Sequence, residues 1–196
     1  MRVSLGRHVR LVGLLVAVAL GDGCDEGDPS ETTDDTTGGG EPTWRPLVSA
    51  SAWQLADPAD DPFAAERPPE MTCDPAGVTV ESLTDGPALE VDTGLCDWAT
   101  VQQAALSAAE AGDHLRIRIW HDELDAPDAP TLGEVFVVVD GQTLVQTEVE
   151  IPAAAGLVVE EVELPIAIAL STPVYAHVRN HGFNTWAIAE IAVLTD

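Results

Sequence analysis

Over residues 73–196 the sequence predicts an all-β domain, an antiparallel β-sandwich. Three observations carry that expectation. Short apolar and β-branched runs are separated by turn residues at the spacing of a sandwich or barrel. An Asp140-Gly141 pair stands between two such runs, where a type I′ hairpin needs positive φ at both central positions. Within the runs apolar and polar side chains alternate, so each strand has one face for a core and one for something else.

Nine runs qualify, in chain order 78–82, 88–93, 98–104, 114–121, 134–140, 143–151, 158–164, 173–180 and 185–194. They leave little room for helices. Residues 99–111 are ambiguous, because Thr100 and Gln103 imitate a capping box and the alanines favour helix. The first half reads as strand and the second as a turn or a single helical turn. In the fourth run Leu115, Ile117 and Ile119 share one face, and His114, Arg116, Arg118 and Trp120 share the other. In the eighth run Val174, Ala176 and Val178 point inward, which leaves Tyr175, His177, Arg179 and His181 outward.

Ahead of the sandwich the chain divides into three parts. Residues 1–23 read as a secretory signal: Arg2, Arg7 and Arg10 precede the apolar run 11–20. A spanning helix needs ~20 apolar residues, so this run is a cleaved leader. Cys24 then resembles the lipobox cysteine of bacterial lipoproteins, which receives a diacylglyceryl group and becomes the mature N-terminus. The usual leucine stands one place early, at Leu20, with Gly21 in its position and Asp22 between. Lipidation of Cys24 and plain secretion are the two readings. The first places the chain at the outer membrane or cell surface with the lipid as its sole membrane contact; the second makes it secreted or periplasmic.

Residues 24–43 form an acidic tether. From Asp25 to Pro42 there is neither an aromatic nor an aliphatic side chain to offset the entropy of ordering. Residues 44–72 carry Trp44, Trp53 and Phe63 among Pro58, Pro62, Pro68 and Pro69, and that many prolines exclude long regular elements. This segment packs along the domain with Trp53 and Phe63 as anchors, or it waits for a partner. With Cys24 acylated, Cys73 and Cys96 remain, and in an oxidising compartment they are expected to form a disulfide. No further Cys or His stands at zinc-ligand spacing from them.

The formal charge is −26, and all eight basic residues are arginines. Such a surface repels phosphate backbones, which excludes a nucleic-acid partner. Otherwise the charge serves colloidal solubility.

From about Leu89 to Leu194 the order of elements resembles the galactose-binding-like β-sandwich, a jelly roll common among carbohydrate-binding modules. The resemblance rests on Ala111-Gly112-Asp113 opening the run to Trp120, on 135–139 with the Asp140-Gly141 turn, on 175–180, and on the last run from Trp186 to Ile191. The stretch from Leu89 to Cys96, with Trp120-His121 and 180–186, is also similar to uncharacterised envelope lipoproteins. The resemblance implies a sandwich and a saccharide ligand. In that family an Asp pair on the last strand often helps hold a structural calcium; here Ala189 and Glu190 occupy the place, so Glu190 is the one candidate metal ligand and no cofactor is otherwise expected.

No Ser sits in a Gly-x-Ser-x-Gly elbow, and paired carboxylates are expected by chance among 34. His177 and His181, four apart on a strand, stand more than ~13 Å apart and cannot share a metal. The expectation is therefore a non-catalytic binding module. Trp120 and Tyr175 would be platforms for a sugar, with Arg116, Arg118 and Arg179 as donors and His177 and His181 beside them. One qualification comes from topology, because the third and seventh strands of a jelly roll usually belong to opposite sheets. The alternatives are an envelope assembly component acting through protein contacts and a secreted hydrolase using carboxylates.

Overall fold

The structure, a computed structural model, describes residues 43–127, 129–180 and 182–195. The leader, Cys24 and the tether through residue 42, together with His181, lie outside the described residues.

Eleven strands follow one another: β1 (Thr43–Pro46), β2 (Gln54–Leu55), β3 (Val78–Leu83), β4 (Gly86–Asp92), β5 (Trp98–Ala104), β6 (His114–His121), β7 (Thr131–Val139), β8 (Gln142–Ile151), β9 (Gly156–Glu163), β10 (Pro173–Arg179) and β11 (Thr185–Thr195). Nine of them are the runs that alternation marks. The other two, β1 and β2, lie in the proline-rich approach, where four- and two-residue strands escape a periodicity test. Among the described residues, helical backbone is confined to single 3-10 turns at Ala50–Ala52 and Pro75–Gly77.

The strands form two antiparallel sheets. The first has the order β3-β4-β11-β6-β9, with β1 also paired to β11; the second has the order β2-β5-β10-β7-β8. Consecutive strands from β4 to β7 thus fall in alternate sheets, and the chain then winds back by way of β8 to β11, which is the double Greek key of a jelly roll. The fold is a jelly-roll β-sandwich. Its hairpin at Asp140 and Gly141 has φ of 50° and 72°, the pair of positive values that an I′ turn demands.

Between the sheets the core is aliphatic. Leu115, Ile117 and Ile119 of β6 face Val135, Val137 and Val139 of β7 and Val174, Ala176 and Val178 of β10, all buried. Trp186 of β11 is the largest fully buried side chain. Gly133 makes room for it, since a Cβ there would collide with the indole. Cys73 and Cys96 form the expected disulfide, across an isolated antiparallel bridge.

Strand β11 carries an irregularity that matters for its outer face. The register with β6 shifts between Ile188 and Glu190, so Ala189 is the extra residue. Before the shift Ala187 stands opposite Trp120, and after it Glu190 stands opposite Arg118. Were Ala189 instead paired in an unbroken register, Glu190 would point into the core.

Candidate functional site

The residues that alternation marks as outward do not form one surface. Arg116, Arg118 and Trp120 lie on the first sheet, and Tyr175, His177 and Arg179 lie on the second, on opposite outer faces of the sandwich. A single site uniting all six is thereby corrected to two separate faces.

On the first face the arginines are already committed. Arg116 donates to Glu190 Oε1 from Nε at 3.0 Å and from Nη2 at 2.6 Å, and its guanidinium stacks on Trp44 at 4.1 Å. Arg118 reaches Asp85 at 3.1 Å and the second oxygen of Glu190 at 3.6 Å. These two arginines are therefore not free donors for a ligand. Glu190 is likewise corrected as a metal ligand: its carboxylate is shared between two guanidiniums. Among the described residues no three His, Cys, Asp or Glu side chains gather at metal-binding distance.

The second face is a small grid set by register. Trp98, Arg179 and Glu134 form one row across β5, β10 and β7; Thr100, His177 and Phe136 form the next; Gln102, Tyr175 and Val138 form the third. Arg179 is clamped by both oxygens of Glu134, at 2.6 and 3.1 Å, and by Glu66 at 3.1 Å. His177 points outward from the sheet yet is 0% exposed. Phe63 explains the discrepancy by stacking on its ring at 4.1 Å, brought there by residues 57–71, a strap lying over this face. An exposed ligand-binding role for His177 is thus overturned, because the proline-rich segment covers it. Burial pushes its pKa down from 6.5 to about 3, and Arg179 and Arg67 push the same way. Tyr175 is only part-covered, and its hydroxyl pKa is raised by burial and by Asp60 and Asp61.

A groove with a solvent-exposed aromatic wall lies on the first face, at the end of the sheet where β6 meets its neighbours. It measures ≈ 350 Å³ and is lined by Glu81, Glu90, Trp120, His121, Asp122 and Ala187, among others. Register builds it. Trp120 on β6 stands opposite Ala187 on β11, which stands opposite Glu90 on β4, which stands opposite Thr79 on β3. At ~4.8 Å between strands, Trp120 and Glu90 rise about 10 Å apart over an alanine floor. Trp120 remains 37% exposed.

The far wall is a carboxyl pair. Thr79 Oγ1 donates to Glu90 at 3.3 Å, and Glu81, two residues along β3 from Thr79, lines the groove beside them. Partial burial, and then Glu81, raise the pKa of Glu90 above the usual carboxylate value. At the near end His121 is only 7% exposed. Its Nδ1 donates to the Asp122 carbonyl at 2.8 Å, since a carbonyl can only accept, and Nε2 is the ring's other polar atom. Among the described residues Nε2 has no hydrogen-bond partner, and Gly156 leaves it uncovered: a Cβ there would lie 3.1 Å from it.

Of this groove, sequence reasoning found Trp120 alone. Glu81 and Glu90 were missed as site residues because their meeting with Trp120 depends on β11 lying between β4 and β6, a long-range pairing with no local signature, and His121 was missed because alternation sends it to the opposite face from Trp120.

No family model matches the chain, and no curated protein matches it. Several solved structures are similar to it. One is a Family 16 Carbohydrate Binding Module-2, at 14% identity and a TM-score of 0.40, over 61% of this chain and 86% of that one. Another is TmCBM61 in complex with beta-1,4-galactotriose, at 11% identity and a TM-score of 0.43, over 78% of this chain and 99% of that one. A third is a CBM4 structure, at 14% identity and a TM-score of 0.37, over 60% of this chain and 89% of that one. Carbohydrate-binding modules are thus among the structures that this chain is similar to.

Proposed function

We propose that this chain is an exported, non-catalytic module, held to the envelope through Cys24, that binds a glycan in the groove beside Trp120. The observation that carries the reading is the half-open indole facing Glu90 across the Ala187 floor. A pyranose has an apolar C–H face and a rim of hydroxyls. The indole offers the apolar face a platform, and Glu81, Glu90 and Asp122 accept hydrogen bonds from the rim. The volume of ≈ 350 Å³ lies within the ~300–1,000 Å³ of small-molecule sites.

The test is retention on a polysaccharide panel, by affinity electrophoresis and then calorimetry. At least one glycan is expected to be retained, with binding weakened at least ~30-fold in Trp120→Ala, the loss of a buried aromatic anchor. Binding that ignores Trp120→Ala would remove the groove from the account. An assembly role through protein contacts would draw on the edge strand β9, whose Leu157 and Val159 are 39% and 46% exposed. A stoichiometric partner recovered by crosslinking, with every glycan unretained, would favour that role.

A further inference from the structure

We infer that the saccharide taken by this groove carries a free ammonium, so that the ligand class is an amino sugar. The inference rests on the glycan reading above. It comes from counting donors and acceptors along the walls. Glu81, Glu90 and Asp122 bring carboxylates, and no Lys or Arg lines the groove. The nearest strand's arginines, Arg116 and Arg118, are held by Glu190 and Asp85 and do not neutralise these acids. A uronic acid or a sulfated sugar would add negative charge to an uncompensated pair.

His121 gives an independent reason. It is more than nine-tenths buried, its Nδ1 proton is spent on the Asp122 carbonyl, and its Nε2 has no partner among the described residues. The ring lines the groove beside Gly156, where no side chain intervenes. Apart from the Thr185 hydroxyl and the Trp120 indole N–H, the polar side chains of the site are acceptors, at both ends of the groove. An ammonium is the complementary group, with three donors and no acceptor. Trp120 adds a π face, which attracts a cation that an acetamide would not supply. The raised pKa of Glu90 agrees with this, since the pair repels itself until a cation arrives.

The experiment compares a short glucosamine oligomer with its N-acetylated counterpart of equal length. Calorimetry on the full mature chain is run at physiological salt and below the pKa of the ligand amine. Expected is about tenfold tighter binding of the free amine, from one cation–π contact and one ion pair. That preference should shrink to within about twofold in Glu90→Gln. It should survive in Glu150→Gln, a change at an exposed carboxylate on β8 in the other sheet. Trp120→Ala should weaken both oligomers.

Four outcomes overturn the inference. If Glu90→Gln and Glu150→Gln weaken the amine equally, the ligand senses only the overall charge. If the acetylated oligomer binds as tightly and depends on Trp120, the groove binds sugars without reading an amine. Should an oligolysine peptide match the amino sugar with the same dependence on Trp120, the ligand is a peptide. Failure of every glycan, these two included, sinks the glycan reading itself.

Discussion

His177 shows how far a single residue is legible in a sequence. Alternation along β10 correctly sends it out of the sandwich core, to the same side as Tyr175 and Arg179. What alternation does not contain is Phe63, more than a hundred positions earlier, closing over the ring. With Nδ1 bonded to Thr100 Oγ1 at 2.8 Å and Nε2 buried without a partner, the ring has no room for a second proton. Folded, it accepts that proton only near pH 3; unfolded, it does so near 6.5. The unfolded chain therefore binds the extra proton between those values. Stability from this group is complete above pH 6.5 and is lost as pH falls, at about 1.4 kcal/mol per unit. Denaturant midpoints should show the natural chain losing about 2 kcal/mol more than His177→Phe between pH 7 and pH 5. Parallel losses in the two proteins would mean that the ring is not held neutral. The groove residues make the same point from the other side: Trp120 stands out in its own run, whereas Glu90 is one glutamate among many until β11 places it opposite Ala187.

At the scale of elements, legibility follows how each strand is stabilised. Strands such as β6 and β10 bury one face and show it by alternation, so their bounds can be read to within a residue or two. The four residues of β1 are held instead by pairing to the far end of β11, Thr43 to Thr195, and such pairing leaves no mark on local composition. The strap is the third kind of element, with no sheet pairing at all. Its backbone bonds, such as Ala64 N to Asp61 O and Glu66 N to Phe63 O, close on itself. Its ends are tied by Ala56 N to Thr100 O and by Asp97 N to Thr72 O beside the Cys73–Cys96 disulfide. Between those ends Phe63 is the only buried side chain, and Trp98 Nε1 and His177 Nε2 lie near it without hydrogen bonds. This apolar plug, with the Glu66–Arg179 ion pair at its side, thus holds the strap against two unsatisfied polar atoms. Phe63→Ala should free it locally, speeding amide exchange over 57–71 at least ~tenfold while β5 and β10 keep their protection. The fluorescence of Trp98 should shift red as water reaches it. A uniform loss of protection across both sheets would show instead that the strap and the sandwich melt as one unit.

The whole molecule is governed by its charge. With 34 acidic residues against eight arginines, the surface is repelled by anionic lipid headgroups, so electrostatics alone would hold the chain off a membrane. Its arginines do not offset this, since Arg116, Arg118 and Arg179 are all spent on carboxylates of the sheets and the strap. If the chain is membrane-held, acyl chains on Cys24 must supply the attraction. Stable anchoring takes two such signals, at ~0.8 kcal/mol per buried CH₂, and a diacylglyceryl cysteine provides two chains. The natural chain expressed with its leader should partition into the detergent phase when a cloud-point detergent separates, and Cys24→Ser should move to the aqueous phase. The same substitution should leave the melting temperature of the sandwich unchanged, because the domain from Thr43 onward pairs its strands without that residue. Equal partitioning of the two proteins, or a mature N-terminus beyond Cys24 carrying no acyl mass, would make the chain a freely secreted one and leave the groove to find its glycan by diffusion.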